Sequence, residues 1–320
     1  MNGSANVGAV KFIAGDWGTS RLRLFLCDET GEVIDSRTGP GAADANGGFA
    51  EIFESLTAPW VKLHGTLPAV LSGMVGSSIG WLQAPYVSCP AEPRQITGAC
   101  VRLCGESIHI VPGLSCHNRF RAPDFLRGEE TQILGTLQLV PRLRSGRWLL
   151  CLPGTHTKWA LLEDGVVREF LTAPTGELFA VLREHSVLVG KQGHEESIDS
   201  EAFVQGLTEI NAFPKAQLLH RLFECRSRQL QGNFTAAAAS GYLSGLLLAS
   251  DVYGALRTLS SAFEPLSVVL IGSVDLMQLY AAALACHGYE ATTVEGGAAS
   301  RAGLAHVHRR LSQGITAHGI

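Results

Sequence analysis

Short apolar runs of strand length alternate along the chain with segments whose apolar positions recur at helical spacing. The runs that predict strands cover residues 11–27 and 32–38 (a β-hairpin), 68–72, 107–112, 150–162 (a second hairpin), 267–272 and 289–294. The helical spacing predicts helices from residue 128 onward and near residues 48–64, 176–189, 199–212, 214–229, 235–259, 274–287 and 297–312. Strands and helices in this order indicate mixed α/β domains and argue against a TIM barrel.

One unit of this pattern occurs twice. An apolar run enters a glycine–threonine turn and leaves as a second apolar run, with Gly18-Thr19 in the first copy and Gly154-Thr155 in the second. Glycine allows a tight turn and a close approach of the backbone to a phosphate, while the turn amides and the threonine hydroxyl donate to its oxygens. Two such hairpins about one domain apart predict a nucleotide clamp with one hairpin from each domain.

The two hairpins differ in charge. Asp16 precedes the first turn, and alignment of the two turns places Leu152 at the corresponding position of the second. A carboxylate there is positioned to hold a magnesium-bound water beside a triphosphate, with an Asx turn as the alternative. Arg21 and Arg23 alternate with leucines, so that one face of their strand is basic. That face meets a phosphate or a substrate carboxylate, or it is a solvated sheet face; both readings stay open.

Composition narrows the class of protein. The 320 residues suffice for two domains, and the hydrophobic fraction of 46% with 17% charged residues indicates a well-buried globular protein. A net charge of −4 offers no basic field for nucleic acid. The apolar runs are too short to predict a membrane span, and the first ten residues lack the basic segment of a signal peptide. A cytoplasmic enzyme without nucleic-acid or membrane partners is expected; homo-oligomerisation stays open.

The eight cysteines do not form a standard metal-binding pattern. Cys100, Cys104, Cys116 and His117 come nearest to ligand spacing, but Cys-x3-Cys followed by an adjacent Cys-His pair is not a zinc frame. The other cysteines are scattered, several of them within apolar runs. Buried or incidental reduced thiols are therefore predicted.

Standard phosphate-binding motifs are absent from the sequence. No Gly-x4-Gly-Lys-Ser/Thr segment occurs, and Gly39-Pro-Gly41 lacks the third glycine of a dinucleotide fingerprint. The paired hairpins remain, together with a strand that ends at Gly272-Ser273 before a helix. This order resembles the superfamily of sugar kinases, heat-shock chaperones and actin, whose first phosphate loop, second phosphate loop and adenosine loop match Asp16–Arg23, Pro153–Trp159 and Ile271–Val274.

Within that superfamily the chain most resembles the 2-dehydro-3-deoxygalactonokinase family. The matching blocks are Asp16–Arg23, Gly73–Tyr86, Arg127–Gln132, Pro153–Trp159 and Thr175–Leu178, and the resemblance covers nearly the whole chain. It implies an α/β fold of two actin-like (ribonuclease H-like) domains around a central nucleotide and substrate cleft. A composition shift over 141–147 places the boundary so that the domains are 1–140 and 141–320, with the terminal helix free to pack back across the cleft.

The resemblance implies an ATP- and Mg²⁺-dependent kinase. It transfers the γ-phosphoryl group to the terminal hydroxyl of 2-dehydro-3-deoxy-D-galactonate, a substrate identity that rests on the resemblance alone. Two alternatives remain: a kinase of another keto-deoxy sugar acid, such as the gluconate epimer, and a non-catalytic regulator that senses a sugar acid.

Two adjacent carboxylates open the helix near residue 128 and are expected to point in different directions. Glu130 is the preferred catalytic base and Glu129 the alternative, while Asp16 serves the metal and is the third catalytic candidate. The expected ATP contacts are Gly18, Thr19, Ser20, Gly154, Thr155, His156, Lys158, Gly272 and Ser273. The expected substrate contacts are Ser77, Trp81, Arg127, Arg23 and Glu177. For Lys158 the alternative is snorkelling from its strand, and for Trp81 it is core packing.

Overall fold

The computed structural model describes residues 10–190, 199–212, 218–259 and 266–314. Its strands are β1 (Val10–Trp17), β2 (Arg21–Asp28), β3 (Val33–Pro40), β4 (Ala69–Gly73), β5 (Tyr86–Ser88), β6 (Val101–Arg102), β7 (Ile108–Ile110), β8 (Gly113–His117), β9 (Pro123–Leu126), β10 (Arg147–Leu152), β11 (Thr157–Glu163), β12 (Val166–Ala173), β13 (Ser267–Gly272) and β14 (Ala291–Glu295). Its α-helices are α1 (Phe49–His64), α2 (Pro93–Gly98), α3 (Glu129–Leu139), α4 (Thr175–His185), α5 (Ser200–Ala212), α6 (Leu218–Arg221), α7 (Glu224–Leu230), α8 (Ala236–Leu259), α9 (Val274–Ala285) and α10 (Gly296–Ser312).

The chain divides into two compact units. The first unit comprises Met1–Gly146, Leu162–Glu169 and Gly296–Ile320, and the second comprises Arg147–Leu161 and Phe170–Glu295. Among the helices that the structure describes, none is both long and apolar enough to cross a bilayer.

The sheet of the first unit positions the first hairpin. Its strand order is β3-β2-β1-β4-β7-β6, in which β1 pairs antiparallel with β2 and parallel with β4. Leu22, Leu24 and Leu26 are buried on one face of β2, as the alternating sequence predicts. The register places Asp16 opposite Arg23 on one side and Ser72 on the other, at the carboxyl end of β1.

The second sheet repeats this arrangement. Its order is β12-β11-β10-β13-β14, with β10, β13 and β14 parallel. Its first four positions correspond strand by strand to β3-β2-β1-β4 of the first sheet, and β14 corresponds to β7. The repeat seen in the sequence is therefore a repeat of topology, and the predicted mixed α/β class is confirmed.

A small three-stranded sheet, β5-β8-β9, was not predicted. The sequence analysis predicts no strand at these positions, because strands of three to five residues are too short for alternation to be recognised. The predicted helix over 214–229 is also different: α6 and α7 are separate, and residues 213–217 lie outside the described part of the chain.

Helix α10 packs on α3 in the first unit, although the predicted division assigned it to 141–320. Glycines allow this contact: a Cβ at Gly135 would lie 1.7 Å from the carbonyl oxygen of Ala299, and one at Gly303 would lie 2.0 Å from that of Thr131. The two backbones therefore touch, which places Gly296–Ser312 with the first unit. Sequence patterns do not reveal such a contact, because its partners are far apart in the chain.

We expect Gly303→Ala to lower the free energy of unfolding by about 1–3 kcal/mol, because the added methyl group meets a backbone carbonyl that cannot move aside. Gly254→Ala is the matched control: Gly254 is exposed on α8, where nothing lies within 4 Å of an added Cβ. That variant should be unchanged or more stable by about 0.5–1 kcal/mol, since alanine favours a helix. Urea unfolding monitored by circular dichroism compares them; a fully stable Gly303→Ala would contradict the backbone contact.

Candidate functional site

The first hairpin brings Asp16 and Arg23 together. The guanidinium nitrogen Nη2 of Arg23 donates to Oδ2 of Asp16 at 2.5 Å, and their side chains are 41% and 15% exposed respectively. The turn is closed by a bond from the Gly18 amide to the Arg21 carbonyl at 2.9 Å. The basic strand face predicted from the sequence thus partly neutralises the carboxylate that ends β1.

A loop after β3 supports this turn. The amides of Ala42 and Ala43 donate at 3.0 Å to the carbonyls of Gly18 and Thr19. A Cβ at Gly41 would lie 2.2 Å from the Thr19 carbonyl, so that only glycine fits beside the turn. The loop engages the carbonyl side of the turn, while the side chains of Thr19 and Ser20 are exposed.

The segment after β4 and the residue Arg127 form a second group in the first unit. The guanidinium of Arg127 lies 4.3 Å from the centre of the Tyr86 ring, and its Nη2 donates to the Ala84 carbonyl at 2.8 Å. Its Nη1 lies beside Gly76 and has no hydrogen-bond partner although it is buried. The guanidinium is thus held in place with one donor group unused.

Other buried polar atoms near the ends of β1 and β4 also lack partners among the described residues. They are Nε1 of Trp17, Oγ of Ser72 and Oγ of Ser77. A buried polar group that is left unpaired costs about 1–3 kcal/mol, so several of them in neighbouring segments indicate a place where a polar ligand binds.

The two carboxylates at the start of α3 differ in burial. Oε2 of Glu129 accepts a bond from the Arg127 amide at 3.0 Å, and its side chain is partly accessible. Glu130 is 0% exposed, with Oε2 accepting from the Gly128 amide at 2.6 Å and Oε1 accepting from the Thr131 hydroxyl at 3.1 Å. Burial, followed by the negative charge of Glu129, raises the pKa of the Glu130 carboxyl to about 8. Both carboxylates accept from backbone amides directly before the helix, and only Glu129 offers an accessible surface.

The second hairpin is supported by the start of α4. The Glu177 amide donates to the Thr155 carbonyl at 2.9 Å, and Oε2 of Glu177 lies 2.7 Å from Nε2 of His156. A Cβ at Gly176 would lie 2.5 Å from the Gly154 carbonyl. Glu177, predicted with the substrate contacts, therefore lies in the second unit as the partner of His156. The Thr-Gly-Glu block of the sequence is explained by these contacts with the hairpin.

Two further predicted nucleotide contacts lie in the second unit. Nζ of Lys158 donates to the Thr172 hydroxyl at 2.8 Å, and the lysine is 7% exposed, so that it is buried on the sheet and does not snorkel. A Cβ at Gly272 would lie 3.5 Å from Cδ of Pro153, which places the end of β13 beside the second hairpin. Ser273 is the exposed residue that precedes α9.

Trp81 belongs to the core of the first unit. Its ring centre lies 5.6 Å from that of Phe53 and 6.5 Å from that of Trp17, which is the core packing kept as the alternative. It remains partly accessible. The sequence analysis did not anticipate the support that Tyr86 gives to Arg127, although both residues stand in the blocks that carried the resemblance.

All eight cysteines are free thiols. Burial raises the pKa of Cys27, Cys89 and Cys100 to about 12 in each case, so these thiols stay protonated. Cys104 and Cys286 are exposed, and both are free, as the prediction of buried or incidental reduced thiols allows.

The sequence is similar to those of known proteins. Residues 16–307 match the family model described as 2-keto-3-deoxy-galactonokinase. The chain is 36% identical to a protein of Rhizobium meliloti described as a 2-dehydro-3-deoxygalactonokinase, over 94% of this chain and 97% of that one. It is 33% identical to the 2-dehydro-3-deoxygalactonokinase of Escherichia coli, over 92% and 96%.

Solved structures are also similar. A crystal structure described as that of a 2-dehydro-3-deoxygalactonokinase protein from Sinorhizobium meliloti has a TM-score of 0.86 and 34% identity, and the match covers 94% of this chain and 99% of that one. An activator of 2-hydroxyisocaproyl-CoA dehydratase from Clostridium difficile, solved with bound ADPNP, has a TM-score of 0.52 at 11% identity, covering 97% and 98%. The second likeness concerns the fold alone, and it agrees with the actin-like class expected from the sequence.

Proposed function

Since the chain belongs to the 2-keto-3-deoxy-galactonokinase family, we propose that it transfers the γ-phosphoryl group of ATP to the terminal hydroxyl of 2-dehydro-3-deoxy-D-galactonate. The protein is an ATP-dependent sugar-acid kinase, a phosphotransferase with an alcohol acceptor. The observation that carries the proposal is the family match over residues 16–307, which includes both hairpins and the Arg127–Gln132 block. The reaction is a step in galactonate catabolism.

The sugar acid contacts the first unit in this proposal. The unused Nη1 of Arg127 takes the substrate carboxylate, because a guanidinium held by a ring and a carbonyl is already oriented for such a partner. The buried Oγ of Ser77 bonds a substrate hydroxyl. Arg23 is a second cation for an anionic group, while the accessible edge of Trp81 provides an apolar surface for the carbon chain.

Glu129 takes the role of catalytic base that the sequence assigned first to Glu130. A carboxylate that accepts the proton of a substrate hydroxyl must lie within hydrogen-bond reach of it. Glu130 has no exposed surface, and its raised pKa keeps it protonated at neutral pH, whereas Glu129 is partly accessible at the same helix start. Glu130 then supports the Gly128 turn as a neutral acid.

ATP binds the second hairpin through Gly154, Thr155 and His156, and its adenosine lies near Gly272 and Ser273. The first hairpin would hold a magnesium ion, because Mg²⁺ is commonly bound by one or two carboxylates together with phosphates. Asp16 supplies that carboxylate. When bound, the ion neutralises charge on the phosphates; Arg23 keeps Asp16 oriented.

Two hairpin variants separate the metal from the nucleotide. Asp16→Asn should raise the midpoint of a Mg²⁺ titration, measured at saturating ATP, by about 3–10-fold, because a neutral amide is a weaker ligand of Mg²⁺ than a carboxylate. Thr155→Val should leave that midpoint unchanged and raise the KM for ATP by about 5–10-fold through loss of a donor to phosphate. The reverse pattern would mean that the two hairpins have been assigned the wrong way round.

The proposed function is tested by measuring ATP consumption with a panel of aldonic and keto-deoxy sugar acids. The galactonate epimer should be the preferred acceptor, with the gluconate epimer as the comparison. Equal rates with both epimers would leave a kinase of broader specificity. Binding of a sugar acid without ATP consumption would favour the regulator.

The free cysteines indicate the compartment of the proposed kinase. Free cysteines persist in the reducing cytosol, and all eight cysteines of this chain are free. We therefore place the kinase in the cytoplasm. Oxidative refolding should give no intramolecular disulfide that raises the thermal stability.

A further inference from the structure

A carboxylate of the second unit, Asp251, has no part in the proposed phosphoryl transfer. Asp251, on α8, accepts three hydrogen bonds. Nε1 of Trp159 donates to its Oδ1 at 2.8 Å, while the hydroxyls of Thr175 and Tyr280 each donate to its Oδ2 at 2.7 Å. The residue is only partly accessible to solvent. Both carboxylate oxygens are therefore occupied by protein donors.

Each donor belongs to a segment that continues from a proposed nucleotide contact. Trp159 is the third residue of β11, which leaves the second hairpin. Thr175 is the first residue of α4, directly before the glycine and the glutamate that contact the hairpin carbonyls. Tyr280 lies on α9, the helix that follows Gly272-Ser273.

A fourth bond closes the group. The hydroxyl oxygens of Tyr280 and Thr157 lie 2.6 Å apart, and Thr157 is the first residue after the hairpin turn. Because Tyr280 donates to Asp251, its oxygen accepts from the Thr157 hydroxyl. The carboxylate thus fixes the direction of the whole chain of bonds.

The energetics favour a fixed arrangement. Burial raises the pKa of the Asp251 carboxyl, and the bonds from Tyr280, Thr175 and Trp159 oppose this rise. Because of the same burial, a donor that loses Asp251 as its acceptor cannot form a hydrogen bond with water instead. The unpaired donor then lowers the stability of the fold. Segments joined in this way are held in one geometry.

We propose that Asp251 is a positioning residue that holds the second hairpin, the start of α4 and the helix after Gly272-Ser273 in the geometry that binds ATP. It acts through Trp159, Thr175 and Tyr280 and does not contact the nucleotide. The inference rests on the proposed function, in which these segments bind ATP. Its loss should appear in the affinity for ATP and not in the affinity for the sugar acid.

The test compares Asp251→Ala with Asp251→Asn. The alanine variant leaves three donors without an acceptor, and we expect the KM for ATP to rise about tenfold while the KM for the sugar acid stays within about twofold. Asparagine should restore most of the affinity, because Oδ1 still accepts from Trp159 while the two hydroxyls rotate to accept from Nδ2. Equilibrium binding of a non-hydrolysable ATP analogue gives the same comparison without turnover.

Glu224→Ala is the matched control. Glu224 accepts bonds from Arg221 and from the Tyr242 hydroxyl in another polar group of the second unit, which joins α7 to α8. Its removal should destabilise the protein without changing the KM for ATP. An equal effect of the two alanine variants on ATP affinity would overturn the inference, because Asp251 would then be merely structural.

Two further variants keep the test valid if Asp251→Ala does not fold. Thr175→Val and Tyr280→Phe each remove one hydroxyl, and each should raise the dissociation constant of the ATP analogue about 3–5-fold relative to the wild type. Unchanged dissociation constants would contradict the inference. A wild-type protein that binds no ATP analogue would instead refute the proposed function.

Discussion

Glu129→Gln is expected to lower kcat by about 10²–10⁴, with much smaller changes in the KM for ATP and for the sugar acid. The amide cannot accept the proton that leaves the substrate hydroxyl, but it keeps the size of the side chain. Its Oε1 still accepts the bond from the Arg127 amide, so that the start of α3 is preserved. Steady-state kinetics at saturating ATP and Mg²⁺ measure the change.

The matched control for this variant is Glu92→Gln. Glu92 is likewise a carboxylate at the start of a helix, α2, where the backbone of residue 95 donates to its side chain. Its amide variant should keep full turnover, which separates loss of a helix cap from loss of a base. If Glu129→Gln is as active as Glu92→Gln and Glu130→Gln is inactive, the buried carboxylate is the base and the first unit must rearrange to expose it.

The second large effect concerns stability. Glu130→Gln should remove a dependence of the free energy of unfolding on pH that amounts to about 5 kcal/mol between pH 4.5 and pH 8. The pKa of this carboxyl rises from an ordinary value of 4.5 to about 8 because of burial and the charge of Glu129. Each unit of the shift corresponds to about 1.4 kcal/mol.

The sign follows from proton binding. Between these two pH values the unfolded chain is ionised at Glu130, whereas the folded chain keeps the proton. The folded state therefore binds more protons, and stability that is fully present below pH 4.5 is lost as the pH rises to 8. Glutamine resembles the protonated acid: its oxygen accepts from the Gly128 amide, and its Nε2 replaces Oε1, so that the Thr131 hydroxyl, which donates in the wild type, turns to accept.

Urea unfolding at pH 5 and at pH 8.5 measures this effect. The loss of stability between the two conditions should be several kcal/mol smaller in Glu130→Gln than in the wild type. Glu54→Gln, which removes an exposed carboxylate of α1, supplies the change that accompanies loss of one surface charge. Equal losses in all three proteins would mean that Glu130 is ionised in the fold.

The parts of the fold that have a recognisable local sequence pattern could be predicted. The two glycine–threonine hairpins, the strand that ends at Gly272 and the helices α1, α4, α8 and α9 lie close to their predicted positions. These elements have either alternating burial or a long helical period, and both are visible in the residues themselves. The correspondence of the two sheets follows from the hairpins.

The arrangement of side chains was less predictable. Glu129 and Glu130 are adjacent in the sequence, yet Glu130 is fully buried and Glu129 is partly accessible, a difference that no local pattern indicates. Glu177 stands in a block that resembles the family, but its partner His156 lies on a separate segment. Asp251 had one visible signal, an acidic residue within a helix of small and apolar residues, but the sequence analysis did not single it out.

The close approach of α3 and α10 has a consequence for how the molecule forms. Thr131 and Gly303 are separated by the entire second unit, so that the first unit lacks one wall of its core until residues 296–312 have left the ribosome. While the second unit is being synthesised, the strands of the first unit keep apolar surface exposed. Exposed apolar surface promotes aggregation. A helix that is made after the second unit thus completes a domain that is started before it, and contacts of such long range make this closing step slow.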